Sequence, residues 1–154
     1  KLKSGHLELQ APTVMTPHIG EYKRLAEKLD IVVPASEPKL AAESLAQTLG
    51  CIVVLKSNNT VVTDGVRTFE ERGGSVVLAT GGTGDVLAGV IAGLISGYGA
   101  DGPMRLIEAA LLGVRLHAMA GKSYEDTHGS CGMLASDLLE QLPMAMADLR
   151  KELS

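Results

Sequence analysis

The first third of the chain carries apolar residues at helical spacing, and these positions predict two helices. One spans Glu21–Leu29, and the other runs from about Pro38 to Leu49, with Ser36 as a candidate N-cap and Gly50 at the C-terminal stop. The segment Asp30–Val33 between them is long enough only for a short strand or a connector. A helix that leads into a short strand is the simplest interpretation.

Branched apolar residues dominate the middle of the chain, where we expect short strands. Cys51–Leu55 is apolar on both faces, as in a fully buried strand. Thr60–Thr63 and Val66–Phe69 flank Asp64-Gly65, a dipeptide that tolerates the positive φ of a tight turn, so these segments predict a hairpin. The apolar run Ser75–Ala79 predicts one further strand.

Helical periodicity returns in the second half of the chain. An apolar stripe begins at Val86, directly after a glycine-rich loop, and a long helix is expected to start near Pro103. Two final helices, Met133–Leu142 and Met144–Leu153, are expected to be separated at Pro143. Helices and strands therefore alternate, which predicts a layered α/β architecture with ligands bound where strands end and helices begin.

Length and composition indicate a single domain over residues 1–154. The chain has 154 residues, of which 45% are hydrophobic, enough for one core and too few to argue for two. The formal net charge is -4, and the basic residues are scattered among acidic ones. Because no cationic stripe is available to neutralise a run of phosphates, nucleic acid is not an expected partner.

The sequence predicts neither a membrane protein nor a secreted one. The most apolar stretch, Val86–Ile95, falls short of the ~20 residues that a membrane helix requires, and residues 1–10 lack the apolar core of a signal peptide. Cys51 and Cys131 lack metal-ligand spacing, and we interpret them as free thiols in a reducing cytosol, with one disulfide as the alternative. We therefore expect a cytoplasmic protein without a metal held by its side chains.

The segment Thr80-Gly81-Gly82-Thr83-Gly84-Asp85 stands between an expected strand and an apolar helix. Glycines let main-chain N–H groups approach a phosphate, and the N-terminus of a helix adds partial positive charge and unsatisfied donors. We therefore expect Gly82, Thr83 and Gly84 to donate hydrogen bonds to a phosphate group, such as one of a nucleotide. The loop is not a P-loop, because no Lys-Ser or Lys-Thr follows the glycines, and it is not a GxGxxG dinucleotide fingerprint.

Asp85 has two interpretations from position alone. An acidic residue in the first turn of a helix stabilises that helix through its dipole, and this role needs no ligand. A carboxylate beside an anion site is also placed to accept the proton of a hydroxyl group as a phosphoryl group arrives. Position does not choose between these roles.

The string Ala79–Gly89 strongly resembles the NAD(P)H-hydrate dehydratases of the ribokinase-like superfamily, whose Gly-x-Gly-Asp motif forms an anion hole. Three further segments carry the resemblance in the same order: Thr16–Glu21, Val53–Lys56 and Gly132–Leu139. The resemblance implies a ribokinase-like three-layer α/β fold, with helices on both sides of a mostly parallel sheet. It extends from about Thr16 to Pro143 and corresponds to the C-terminal portion of the family's domain, so we expect the N-terminal part of that domain to be missing.

The same resemblance implies an enzyme that uses ADP or ATP to dehydrate hydrated NADH or NADPH, a metabolite-repair reaction. The hydroxyl on the hydrated ring is phosphorylated and phosphate is then lost. We expect Mg²⁺ as well, because the transferring phosphates need charge neutralisation that few cations near the loop provide. A homo-oligomer is expected, and an attached epimerase domain is an open alternative.

Residue roles carry over from the family by position. The substrate-binding residues would be His18 and Asp85, with Asp85 also catalytic, and the nucleotide-binding residues would be Gly84 and the loop Lys56, Ser57, Asn58, Asn59, Thr60. Taken alone, His18 is better interpreted as a turn histidine that caps the helix entering at Glu21, and Lys56 as a solvated charge; their place in the family's motifs favours the binding roles. His117 lies within an apolar helix and is expected to pack in a core.

Two other functions stay open at this stage. A small-molecule kinase of the same superfamily, acting on a sugar or a vitamin precursor, would share the anion hole and Asp85. The chain is alternatively a non-catalytic nucleotide-binding fragment that needs its N-terminal half, in cis or from another polypeptide.

Overall fold

The computed structural model describes residues 9–98 and 105–152 and divides the chain into two compact units, one ending at Glu70 and the next beginning at Glu71. Strands and helices alternate irregularly, and the α/β class expected from the sequence is confirmed. In chain order the elements are β1 (Val14–Met15), α1 (Ile19–Lys28), α2 (Pro38–Leu49), β2 (Ile52–Leu55), β3 (Thr60–Thr63), β4 (Thr68–Glu71), a 3₁₀ helix (Val76–Ala79), α3 (Thr83–Tyr98), α4 (Leu106–His128) and α5 (Asp137–Glu152).

The sheet has the strand order β1-β2-β3-β4. β1 runs parallel to β2, with Val14 opposite Ile52, and β2 runs antiparallel to β3, with Val54 opposite Val62. The short loop at residues 56–59 joins β2 to β3, and a connection of this length allows only antiparallel pairing. The described sheet is therefore mixed, whereas the family resemblance led us to expect mostly parallel pairing.

The core of the first unit lies where α2 packs on β2 and β3. Apolar residues recur along α2 at helical spacing, and Leu45 and Ala46 are fully buried, as are Val53 and Leu55 of β2. Val54, which lies on the opposite face of the strand from Val53 and Leu55, is also fully buried, so both faces of β2 are covered, as its continuous apolar run predicts.

The segment Asp30–Val33 is a connector, so the expectation of a strand there is wrong. The amide of Ile31 donates to the carbonyl of Ala26 (2.9 Å), and Asp30 has φ 55, which together close the C-terminus of α1. Tyr22 then holds the segment, because its hydroxyl donates to the carbonyl of Val33 (2.7 Å). These local bonds satisfy the backbone without a neighbouring strand.

The C-terminal end of α2 was predicted correctly, and the N-terminal end was not. Gly50 adopts the left-handed conformation at the C-cap, with φ 61, as its position after the last periodic residue predicts. The N-cap is Glu37 and not Ser36, and its side chain forms no capping hydrogen bond. Pro38, which follows it, already has the φ of a first helical residue and lacks an N–H that would need a partner.

The predicted hairpin is present as β3 and β4, but its second strand begins at Thr68 and not at Val66. The carboxylate of Asp64 accepts hydrogen bonds from the amides of Val66 (3.0 Å) and Arg67 (2.7 Å). Because the side chain takes both amides, these residues form the turn and cannot extend the strand.

Ser75–Ala79 is wrong as a strand, since residues 76–79 form a 3₁₀ helix. Ser75 starts this helix: its hydroxyl accepts from the amide of Val77 (3.3 Å), and its carbonyl accepts from the amide of Leu78 (3.1 Å). Within the described residues no strand is paired with this segment, so local hydrogen bonds replace a sheet ladder.

In the second unit, α3, α5 and the 3₁₀ helix pack around α4. Its core cluster includes Leu116, Ala120 and Leu138. The expected helix start near Pro103 lies outside the described residues, and α4 is described from Leu106. Among the described helices, none combines the length and apolar character needed to cross a bilayer.

The last segment forms one helix, α5, so the expected break at Pro143 is wrong, as is the expected start at Met133. The helix begins at Asp137, whose carboxylate accepts from the amide of Leu134 (2.8 Å). Leu138 and Ala145 are buried on either side of the proline. Packing of both ends on one core outweighs the single helical hydrogen bond that proline removes.

Candidate active site

The glycine loop connects the 3₁₀ helix to α3 by a sharp turn at Gly82, which has φ +90. A side chain there would be strained by that φ, and its Cβ would lie 3.1 Å from Cβ of Ala135. The backbone of the loop therefore requires glycine at this position.

Two of the three expected amide donors are available to a ligand. The N–H groups of Gly82 and Gly84 form no hydrogen bond with any part of the chain that the structure describes. The N–H of Thr83 donates to the carbonyl of Thr80 at 3.3 Å, and that of Asp85 to the carbonyl of Gly82 at 3.0 Å. The start of α3 therefore offers unsatisfied donors and the positive end of the helix dipole at one place.

Thr83 faces inward, unlike its glycine neighbours. Its hydroxyl lies 2.7 Å from the carbonyl oxygen of Leu78 and 2.8 Å from that of Thr80, and the residue is buried. Since its N–H and its hydroxyl both bind the loop itself, Thr83 holds the loop together. Its expected contact with a nucleotide stays a prediction and would require the 3.3 Å bond to Thr80 to open.

Asp85 follows in the first turn of α3, and its side chain is exposed. Nothing packs the carboxylate away from solvent, so a substrate hydroxyl could reach it. The position is compatible with both interpretations of this residue, the helix-stabilising acid and the group that receives a proton.

His18 caps α1, as its alternative interpretation holds. Its Nδ1 accepts hydrogen bonds from the amides of Gly20 (2.9 Å) and Glu21 (3.2 Å), while the carboxylate of Glu21 accepts from the His18 amide (2.7 Å). This reciprocal pair is a capping box. Because Nδ1 accepts, the neutral ring carries its proton on Nε2, and the side chain is 53% exposed. Nε2 lies 3.6 Å from the Glu21 carboxylate, so a ligand that bound this N–H would share it with Glu21.

The structure brings His18 and Lys56 together at the carboxyl ends of β1 and β2. The amide of Lys56 donates to the carbonyl of Pro17 (2.8 Å), and His18 and Lys56 form a parallel bridge that continues the strand pairing. The hydrogen bond from the His18 amide is the largest cause that lowers the pKa of the Glu21 carboxyl, and the positive charges of Lys56 and Arg24 lower it further. Glu21 is thus held as an anion beside these groups.

The loop after Lys56 is a compact turn. The hydroxyl of Ser57 donates to the carbonyl of Asn59 (2.5 Å), Asn58 and Asn59 are exposed, and Thr60 opens β3. The family resemblance led us to expect that this loop binds nucleotide. Its exposed amide side chains are compatible with that role, which stays a prediction.

An open groove of about 470 Å³ lies beside His18, between the end of β1 and α1. Its lining includes the apolar residues Met15, Pro17 and Leu25 and the charged residues Glu21, Arg24 and Lys28. The sequence contained no signal for this groove, because β1 and α1 supply its walls through tertiary packing.

The expected site residues form two groups, one in each unit. His18 and the loop from Lys56 to Thr60 belong to the first unit, and the glycine loop with Asp85 belongs to the second. Within residues 9–98 and 105–152, no group of three or more His, Cys, Asp or Glu side chains could hold a metal ion. Cys51 and Cys131 are free thiols, and burial raises the pKa of Cys51.

Sequence reasoning missed one contact of the glycine loop. His117 is buried, as expected for a core histidine, but its Nε2 lies 2.9 Å from the carbonyl oxygen of Thr83. These residues are 34 positions apart in the sequence. A histidine inside an apolar helix was the available signal, and it did not identify the partner.

Comparison with known proteins places this chain among dehydratases. A sequence model of the Carb_kinase family, described as NAD(P)H-hydrate dehydratase, matches residues 2–144. The chain is 40% identical over 146 residues to the bifunctional NAD(P)H-hydrate repair enzyme Nnr of Thermofilum pendens, covering 94% of this chain and 27% of the relative. It is 35% identical over 136 residues to the ADP-dependent (S)-NAD(P)H-hydrate dehydratase of Cenarchaeum symbiosum, covering 86% of this chain and 44% of the relative.

Solved structures agree with these relatives. The ADP/ATP-dependent NAD(P)H-hydrate dehydratase from Bacillus subtilis, co-crystallized with ATP/Mg²⁺, superposes with a TM-score of 0.77 at 30% identity, over 89% of this chain and 48% of that one. A ribokinase-like superfamily protein from Enterococcus faecalis superposes with a TM-score of 0.73 at 32% identity, over 92% of this chain and 47% of that one. The chain thus spans less than half the length of these relatives.

Proposed function

This chain belongs to the NAD(P)H-hydrate dehydratase family, and from that premise we propose that it takes part in the nucleotide-dependent dehydration of hydrated NADH or NADPH. The observation that carries the proposal is the start of α3. There the unbonded amides of Gly82 and Gly84 precede the exposed carboxylate of Asp85. A phosphate donor and an acceptor alcohol need such groups side by side.

The proposed chemistry divides between backbone and side chain. The amides of Gly82 and Gly84 bind the phosphates of ADP or ATP. Asp85 accepts the proton of the ring hydroxyl while the hydroxyl oxygen forms a bond to the transferred phosphorus and the P–O bond within the donor nucleotide breaks. The C–O bond of the phosphorylated ring then breaks. Phosphate leaves with the bonding electrons, and loss of a proton from the adjacent carbon restores the ring double bond.

We propose that His18 and the loop from Lys56 to Thr60 supply further contacts, to the hydrated ring and to the nucleotide respectively. The side chain of His18 is 53% exposed, and Lys56 lies beside this residue at the ends of two parallel strands. That edge of a sheet is where α/β enzymes bind ligands. The contact of Thr83 with the nucleotide belongs to the same proposal.

We also propose that Mg²⁺ binds together with the nucleotide. The described residues offer no cage of three acidic or imidazole ligands, but Mg²⁺ at nucleotide sites usually takes its ligands from phosphates, water and one or two carboxylates. A bound Mg²⁺ would neutralise charge on the phosphates of the nucleotide.

The organisation of the active protein is also a proposal. We propose that residues 1–154 act as the C-terminal portion of a dehydratase domain and that the active enzyme is a homo-oligomer. The chain spans 27% of a bifunctional relative and 44% of a dehydratase relative. A cytoplasmic location would suit the free thiols of Cys51 and Cys131.

The decisive experiment supplies hydrated NADH with ADP or ATP and Mg²⁺ and follows the absorbance of the reduced nicotinamide together with free phosphate. We expect both to rise in equal amounts, and neither to rise without nucleotide. A stable phosphorylated product would replace the proposal with a small-molecule kinase. Binding of nucleotide without any turnover would favour a fragment that needs a further polypeptide segment.

A further inference from the structure

One face of α4 supports the glycine loop. Gly113, His117 and Gly121 are spaced four residues apart and therefore lie on the same side of the helix. A Cβ at Gly113 would lie 2.6 Å from Ile91 of α3, and one at Gly121 would lie 2.7 Å from Leu78 of the 3₁₀ helix. The two glycines thus allow the elements before and after the loop to approach α4 closely, on either side of His117.

His117 donates a hydrogen bond to the start of α3. Its Nε2 lies 2.9 Å from the carbonyl oxygen of Thr83, and a carbonyl can only accept, so Nε2 carries the proton. His117 is 8% exposed and Thr83 is 4% exposed, so the bond is shielded from water. Loss of a partner in such a place costs more than it would at the surface.

The Thr83 carbonyl and the Gly84 N–H belong to the same peptide group. A peptide group is planar, and in its trans form the C=O and the N–H point in opposite directions. A donor that holds the carbonyl from the buried side therefore turns the Gly84 N–H outward. Hydrogen bonding at the carbonyl also polarises the group and strengthens the N–H as a donor.

We propose that His117 is a positioning residue for phosphate binding, acting through the peptide group between Thr83 and Gly84. The inference rests on the proposed function, because it concerns the Gly84 N–H, one of the two amides proposed to bind phosphate. His117 itself lies behind the loop and touches no ligand. His117 fixes the direction of the Gly84 N–H, and Asp85 is the residue directly after Gly84.

A matched pair of variants tests this. Gln at position 117 keeps an N–H donor on a side chain of similar length, whereas Met has similar size and no donor. Calorimetric titration with ADP should show about fivefold to tenfold weaker binding for His117→Met, and binding within about twofold of wild type for His117→Gln. In ¹⁵N-labelled protein, the Gly84 amide signal should shift in the Met variant and return toward wild type in the Gln variant.

Leu116→Ala is the stability control, because it removes a buried α4 side chain without removing a hydrogen bond to Thr83. It should lower the unfolding midpoint and leave the Gly84 signal in place. Equal ADP affinity and equal Gly84 signals in wild type and both His117 variants would overturn the inference. So would a change in Leu116→Ala that matches the one in His117→Met.

A measurement on the wild-type protein covers the case in which the Met variant does not fold. Long-range ¹⁵N correlation of the His117 ring should show the proton on Nε2, and a bare Nε2 would overturn the inference. The tautomer and the Gly84 signal report on positioning even if wild type regenerates no NADH. Failure of the proposed function and failure of this inference are therefore seen in different experiments.

Discussion

At the scale of single residues, Asp85 and the amides just before it have separate proposed roles: Asp85 accepts a proton, and the amides bind phosphate. The amides of Gly82 and Gly84 bind through the backbone, so a change of the Asp85 side chain leaves them in place. We expect Asp85→Asn to lower turnover by about 10²-fold or more while the dissociation constant of ADP changes by less than about threefold. Single-turnover kinetics and calorimetry measure the two effects separately. Normal turnover with lost nucleotide affinity would reverse the assigned roles.

His18 combines a structural role with a proposed ligand contact, and substitutions can separate them. His18→Ala removes the acceptor for two amides of α1 and should lower the free energy of unfolding by about 1 kcal/mol. His18→Asn supplies a preferred capping side chain and should stay within a few tenths of a kcal/mol of wild type. Urea unfolding gives both values. If Asn restores stability and also full turnover, the ring has no role beyond the cap.

The turn between β3 and β4 is an element whose stability depends on one carboxylate. Hydrogen bonds from the amide of Arg67, and then from its guanidinium and the amide of Val66, lower the pKa of Asp64 from 3.8 to about 2. A lowered pKa in the folded state means that this stabilisation is complete above the unfolded value of 3.8 and is lost as the pH falls through about 2. We expect unfolding experiments between pH 5 and pH 2 to show a steeper loss of stability in wild type than in Asp64→Asn. Parallel curves would show that the turn does not depend on the charge.

At the scale of the whole molecule, nucleotide binding should stabilise the folded chain. A ligand at about 100 times its dissociation constant adds about 2.7 kcal/mol, which corresponds to roughly 5–10 °C in the unfolding midpoint of a chain of this size. ADP and ATP should produce this shift in wild type and in Asp85→Asn. Gly82→Ala should lose it, because φ +90 strains any side chain at this position and a Cβ there would lie only 3.1 Å from Cβ of Ala135. An equal shift in Gly82→Ala would place the nucleotide elsewhere.

The sequence by itself determined what depends on short stretches of chain. Periodic apolar positions located α2 and β2, Asp64-Gly65 located the hairpin turn, and Gly50 located a helix end. The glycine loop and Asp85 were recognisable because an anion site at a helix N-terminus is made by consecutive residues. These features arise from hydrogen bonds and steric limits between neighbours in the chain, which local sequence encodes.

Tertiary structure alone decided what depends on distant partners. A short apolar run such as Ser75–Ala79 fits either a strand or a helix, and its surroundings in the fold select the 3₁₀ helix Val76–Ala79. Packing of Leu138 and Ala145 on one core keeps α5 whole through Pro143. The pairing of β1 with β2 places Lys56 beside His18. Helix packing places the His117 ring against the carbonyl of Thr83, 34 residues away in the sequence. Such contacts form only when folding of the intervening chain brings residues that are distant in sequence together, and no local pattern specifies which groups will then meet.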